Sequence, residues 1–418
     1  MEFVELTDKE YESFVKGHIQ ESYMQSLDLK NFKNNNNIKC YIVGVKEKKK
    51  VLAATLMYSV GSFMKKKRFY SSRGFIIDYN NKELLTFFVD NIKKYIKEHN
   101  GMSITIDPNI IYRTRTSNGD LIEEDKPNDE VINNLKSLGF THFGFNKYFE
   151  TMQVRWVYRL KLDKPYEELK NDFIKSTRKN IEATHNNGVQ IRVGNIEDIK
   201  SLSKIFKETA ERDEFNTKSY EYYKSMVESM PNNVKVYMAY IDPKLRLEQT
   251  ESKLKEEEKN NEEINKKMQT DMVGNKLRNK KEVSDNLIAK YKEEIKETKQ
   301  MIKENPDGVD IGALISVKSG TDYISLSSGT LTNYKKYYPK YALYDAHIED
   351  AYKMGYKYVN FYGIAGDFDP SNKYYGIYEF KKGFNGNVVE YIGEFTLGIG
   401  FTYKLFNTLK KIKKIIKK

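Results

Sequence analysis

Two apolar runs of strand length flank the short polar turn "KEKKK" in "KCYIVGVKEKKKVLAATLMYSV", residues 39–60, and this pattern predicts a β-hairpin. The apolar spacing then changes to that of a helix in "NKELLTFFVDNIKKYIKEHNG", residues 81–101, and "MSITIDP" at 102–108 returns to a strand. "VINNLKSLGF" and "THFGF" complete this stretch. The order recurs further along. "VKVYMAYID" at 234–242 and "IGALISVKSGTDYISLSSG" at 311–329 read as paired strands, followed by helix "YALYDAHIEDAYKMG" and strand "YKYVNFYG". "YGIYEFKKGF" and "NGNVVEY" close the second copy, and the helices "DKEYESFVKGHI" and "IEDIKSLSKIFKETAERDEF" open the two copies. A duplicated α/β unit follows, each copy a mixed sheet with helices on its faces.

Residues 244–305 break the pattern. Gly and Pro almost vanish, Leu247 and Leu254 are seven apart, Ile264, Met268 and Met272 step by four, and Ile288, Tyr291, Ile295 and Ile302 keep a helical seam beyond "VGN" at 273–275. Two antiparallel helices of about 25 residues, about 38 Å long at 1.5 Å per residue, are expected. They stand where the second copy needs only a hairpin turn, so they should project as an arm. The expected organisation is a first unit at 1–148, a second at 149–243 and 306–400, the arm at 244–305 and a basic amphipathic helix at 401–418. In that last helix Phe401, Leu405, Leu409, Ile412 and Ile416 fall on one face and lysines on the other. Such a helix either docks on its own domain or lays its apolar side in an anionic membrane surface; the apolar residues near 401 are expected to pack on the body, while the terminal lysines can reach phosphates.

Charge sharpens this picture. The chain has 71 Lys and Arg against 59 Asp and Glu, a net charge of +12, which favours anionic partners. The single cysteine, Cys40, excludes an intrachain disulfide and fits a reducing compartment. The first residues lack a signal-peptide pattern and no apolar stretch reaches the roughly 20 residues that span a bilayer, so a cytoplasmic protein is expected. The five histidines are scattered without metal-ligand spacing; no metal is expected.

Three stretches could carry chemistry. Asp107 follows a strand and precedes Pro108, where a carboxylate can take up a proton or simply cap a turn. In "GDFDPSNKYYGIYEFKKGFNG", Ser371 is the expected N-cap and Gly383 the stop of a helix whose last residues include Lys381 and Lys382; these lysines either complement the helix dipole or face an anionic partner. Lys175, Arg178 and Lys179 in "STRKNIEATHNNGVQIRV" form a basic cluster, either a solvated helix face or a phosphate contact. The order of elements is reminiscent of the N-acetyltransferase fold, yet no Gly-rich pyrophosphate loop for coenzyme A is present, and no cofactor is expected.

With "YMQSLDLKNFK", "SSRGFIIDY", "ITIDP", the arm, "YKYVNFYGIAGDF" and "YEFKKGFNGNVVEYIGEF" in this order, the sequence resembles the FemABX family of peptidoglycan bridge aminoacyltransferases, chiefly its arm-bearing members. The resemblance implies two tandem N-acetyltransferase-like subdomains with an inserted antiparallel coiled-coil arm. It implies transfer of an amino acid, glycine before serine or alanine, from aminoacyl-tRNA to a side-chain amine of a lipid-linked peptidoglycan precursor. On the same basis Lys381 would stabilise charge on the ester carbonyl beside Phe380, and Asp107 would help deprotonate the attacking amine. Lys33, Gln25, Arg73, Lys218 and Tyr222 would contact the precursor, and Lys175, Arg178 and Lys179, with Arg278, Lys280 and Lys281 near the arm tip, would meet tRNA. Further expected partners are the inner membrane leaflet, in peripheral contact through the tail helix, and a homo- or hetero-dimer with related transferases. The family pattern is not complete: Lys218 stands for an arginine, Phe75 for a proline, and Tyr344-Asp345 for Trp-Glu. A reading from another class is a non-catalytic scaffold in which the arm mediates dimerisation.

Overall fold

The computed structural model describes residues 1–270 and 274–416; Met272 and residue 273 of the expected turn lie outside the described residues. A seven-stranded sheet runs in the order Glu2–Glu5, Cys40–Glu47, Lys50–Phe63, Lys66–Ser71, Gly101–Ile106, Phe395–Gly398, Thr141–His142. An eight-stranded sheet runs Ile111–Arg115, Asn387–Tyr391, Trp156–Lys161, Tyr358–Gly363, Asp322–Thr330, Val309–Ser319, Val234–Ile241, Val189–Gly194. Each sheet has one parallel pair, Lys66–Ser71 with Gly101–Ile106 and Asp322–Thr330 with Tyr358–Gly363, joined through a helix, Lys82–Glu98 or Pro339–Lys353. The duplication expected from the order of elements is therefore present in the pairing itself. Helix Lys82–Glu98 shows how sequence dictates the layer: Asn81 caps its first turn, and Leu85, Phe88, Val89, Ile92 and Ile96, spaced by three and four, are buried against the first sheet.

Sheet membership crosses the division expected along the chain at two points. Ile111–Arg115, from the first stretch, pairs with Asn387–Tyr391 in the second sheet. The late strand Phe395–Gly398 inserts between Gly101–Ile106 and Thr141–His142 of the first. Strand Trp156–Lys161 takes the matching slot in the second sheet, between Tyr358–Gly363 and Asn387–Tyr391. Each sheet is completed by chain from the other half, so no single cut separates them.

The arm consists of helices Pro243–Thr270 and Asn275–Glu304. It replaces the turn between two strands that still pair at its base, Ile241 opposite Val309. Ile264 and Met301 are buried in the seam as an apolar coiled coil requires, but the seam also holds polar pairs: Asn261 donates to Ser284 Oγ at 2.9 Å and Arg246 to Thr298 Oγ1 at 3.2 Å. Such pairs fix register at some cost in stability.

The tail helix, Gly400–Ile416, corrects an expectation. Its body-facing side carries Tyr403, against Gly398, and Phe406, with its ring 5.3 Å from Phe63. Phe401 is 77 % exposed, and Leu409 and Ile412 are exposed too, so the apolar stripe faces outward; the side chain of Ile416 lies outside the described residues. The pattern located a stripe but carried no information on which side of the helix meets the protein.

Candidate active site

Asp107 leaves the end of strand Gly101–Ile106 with its carboxylate buried. Tyr70 Oη donates to Oδ2 at 2.8 Å and the backbone N–H of Arg73 donates to Oδ1 at 2.6 Å. Burial raises its pKa from 3.8 to about 6, partly offset by the nearby Arg73. Arg73 holds a left-handed backbone, φ 54°, an uncommon conformation for a residue with a side chain; this aims its N–H at the carboxylate. Its guanidinium lies over the ring of Tyr391 at 4.0 Å and donates to the Val154 carbonyl, which ties the first half to the chain entering the second sheet.

Lys33, Lys218 and Tyr222 come together on the same side. Helix Leu27–Asn35 packs on helix Tyr220–Ser229, with Phe32 edge-on to Tyr222 at 5.2 Å. Lys33 Nζ lies 4.5 Å from the ring centre of Tyr58, and Lys218 Nζ 5.5 Å from that of Tyr222. Burial pulls the Lys33 pKa down, and Lys218 adds to the fall by repulsion. Gln25 is placed differently from the expected precursor contact. It is fully buried, and its amide bonds Tyr11, both backbone groups of Leu56, Ser71 and the Ser72 carbonyl. It locks the strand that leads to Arg73 and turns no polar atom to solvent.

Lys381 lies in helix Tyr375–Lys382. The N-cap is Tyr374, not the expected Ser371, whose hydroxyl is held by Asp369 at 2.7 Å in the preceding turn. Gly383 is the C-cap as expected, though with an ordinary helical φ of −53°; the left-handed residue is Asn385. What requires glycine at 383 is space, since a Cβ would stand 2.3 Å from Thr177 Oγ1. Lys381 is buried, whereas Lys382 is half-buried beside the Tyr378 ring. The Lys381 amine donates to the Gly363 carbonyl at 2.6 Å and has no carboxylate partner among the described residues. Burial, with repulsion from Lys340, drives its pKa well below that of an ordinary lysine. Burial thus disfavours the charged form of Lys381, and an anion bound beside it would favour that form.

Phe380 forms the wall. Its ring meets Tyr341 and Tyr344 at 5.2 and 5.0 Å, and Lys340 Nζ sits 4.0 Å above it. Lys340, pushed down to about 8 by burial, escaped sequence reasoning because it lies far from Lys381 in the chain. Helix Lys175–Asn186 abuts this site: the Ile174 N–H bonds the Gly383 carbonyl, bringing exposed Lys175, Arg178 and Lys179 to the same side. Arg278 and Lys280 are exposed near the far end of the arm, about 40 Å along it at 1.5 Å per residue. Lys281 there is paired with Asp285. The two expected tRNA-contact groups are therefore separate.

The two half-sites meet at consecutive residues. Tyr362, with φ 63°, lies in the field of Arg73, Asp107 and Tyr222, while the carbonyl of Gly363 holds Lys381. A strained bulky residue at this junction is a site signal visible only in the structure. Beside it a cavity of about 690 Å³ between the sheets is lined by Arg73, Asn109, Arg159, Asp322, Tyr362 and Tyr391.

The profile described as the FemAB family matches residues 6–411. An "Aminoacyltransferase FemA" of Staphylococcus epidermidis is 29% identical over 421 residues, covering 99% of this chain and 100% of that protein. An "Aminoacyltransferase FemB" of the same species is 29% identical over 426 residues, covering 100% of each. A crystal structure of FemX shares the fold, with a TM-score of 0.78 at 24% identity, covering 98% of this chain and 99% of that one.

Proposed function

The chain belongs to the FemAB family and is an aminoacyltransferase of peptidoglycan synthesis, and on that premise we propose that it moves an amino acid, glycine first among candidates, from aminoacyl-tRNA to the side-chain amine of a lipid-linked stem peptide. The observation that carries this reading is the pair of buried titratable groups on either side of Tyr362-Gly363: a carboxylate suited to receive a proton and an amine with no anionic partner among the described residues.

Aminolysis forms a C–N bond and breaks the ester C–O bond, with the amine's proton passing ultimately to the ribose oxygen. Asp107, its pKa lifted to about 6, is ionised at neutral pH and closer in basicity to an ammonium donor than an exposed aspartate is. Lys33 and Lys218 give the acceptor's phosphates two cations on aromatic supports, Tyr58 and Tyr222. Lys381 serves the donor. An anionic acceptor stem on Lys175, Arg178 and Lys179 would restore its ammonium form, because nearby negative charge favours protonation. That ammonium then meets negative charge growing on the ester oxygen. The ester is already activated, so positioning and electrostatics suffice without a covalent enzyme intermediate.

The test is transfer of labelled amino acid from a panel of charged tRNAs to lipid-linked and nucleotide-linked precursors. Label in the stem-peptide side chain with one tRNA class is the expected outcome; no transfer from any charged tRNA rejects the tRNA-dependent reading.

A further inference from the structure

The outward stripe of the tail helix adjoins other exposed apolar groups. Lys410 Nζ lies 5.9 Å from the ring of Phe143, and Glu394 binds both ends of the loop 143–152, its carbonyl accepting from the Phe143 N–H and its carboxylate from the Met152 N–H. Phe143 and Met152 are 42 % and 50 % exposed. On the same helix face one turn earlier, Phe406 meets Phe63, and the hairpin turn beyond Phe63 exposes Met64 at 67 %. Phe401, Leu409 and Ile412 stand on the other side of the helix, exposed, while the loop and the hairpin turn meet the side that carries Phe406 and Lys410.

The rim decides what fits it. Residues 401–418 contain seven lysines and neither Asp nor Glu. Lys65 is exposed at the hairpin turn beside Met64, and Lys404 and Lys410 are exposed on the helix. At 100° per residue, Phe401, Leu405, Leu409 and Ile412 fall within about 80°, opposite the side seated on the protein. A nucleic acid would neutralise the lysines but leave the phenylalanine, leucine and isoleucine wet. A second copy in isologous contact would bring like charges together. An anionic lipid surface satisfies both features: the apolar stripe enters the headgroup boundary while lysines meet lipid phosphates. No described helix is long and apolar enough to cross a membrane, so the helix would lie in the interface.

We propose that the tail helix, with its outward apolar stripe and lysine rim, is a docking face for an anionic bilayer, held on the protein beside the loop 143–152 and the hairpin turn at Met64. The loop carries this face to the active site: a Cβ at Gly363, whose carbonyl holds Lys381, would stand 3.1 Å from Phe149. Docking there sets the transfer site close to the plane from which a lipid-linked acceptor projects. This purpose rests on the proposed acceptor, but vesicle partition needs no turnover, so failure of the face and failure of the acceptor assignment are read separately.

The test is co-sedimentation of the full chain with phosphatidylglycerol/phosphatidylcholine vesicles and with pure phosphatidylcholine vesicles. The wild type should partition onto the anionic vesicles and far less onto the neutral ones. Phe401→Glu/Leu409→Glu should lower anionic partition at least about tenfold. Its circular dichroism, and its transfer to a lipid-free acceptor, should match the wild type, because both residues are exposed and outside the active site. Equal partition of wild type and variant overturns the proposal. So does a wild-type dimer that the variant dissolves while neither binds vesicles, which would give the face to a second copy.

Discussion

Asp107 and Lys381 are both buried and both end elements of a duplicated unit, yet their surroundings differ. Asp107 is framed: a tyrosine hydroxyl and a backbone N–H occupy its two oxygens, and an arginine lies nearby. Lys381 is nearly bare, with one carbonyl and a second lysine for company. A framed carboxylate keeps one geometry and one role, whereas an unpaired buried amine is costly in the empty site and becomes favourable when an anion arrives. On the proposed function the first half would supply a prepared proton acceptor and the second half a site completed by its substrate.

The contrast can be broken at its framed end first. Asp107→Asn should slow transfer by about 10²-fold or more, and wild-type activity should fall as pH drops through about 6, a limb the variant lacks. A pH–rate profile of both proteins checks this. Stability should move the other way. The folded pKa lies above the ordinary 3.8, so the folded state holds its proton longer; the Asp107 contribution is complete below about 4 and is lost as pH rises through about 6. Relative to Asp107→Asn, the wild type should lose up to about 3 kcal/mol across that window, measurable by urea unfolding at several pH values.

A smaller effect belongs to the acceptor cations. Lys218→Ala should raise the precursor KM roughly tenfold with little change in kcat, since it removes binding made equally in ground and transition states. A fall in kcat with unchanged KM would move Lys218 into the chemistry. The least effect is expected from Lys340→Ala. Removing this neighbour should shift the Lys381 titration upward, seen as displacement of the basic limb of the rate profile, with transfer reduced only a few-fold.

Much of this was legible from the residues. The arm stood out by composition, and the two hairpins by apolar runs about short turns, because local patterns set local elements. The exchange of Ile111–Arg115 and Phe395–Gly398 between sheets was not, since a short strand's pattern says which face is buried and not which sheet receives it. The tail was misplaced for the same reason, the helical period leaving its docking side open. At the active site, Lys381 and Asp107 could be picked out as residues, but their pKa directions arise from Lys340, Tyr70 and the backbone of Arg73, which only folding brings near. Gln25 was carried over as a precursor contact from the family resemblance, and sequence does not show that its amide is already used.

The most direct test of the division between a framed acid and an unpaired amine is single-turnover transfer by Lys381→Met, with charged acceptor-stem RNA and saturating precursor. The rate of bond formation should fall about 10²- to 10³-fold while precursor affinity stays within about twofold of wild type. Transfer at the wild-type rate would contradict the account.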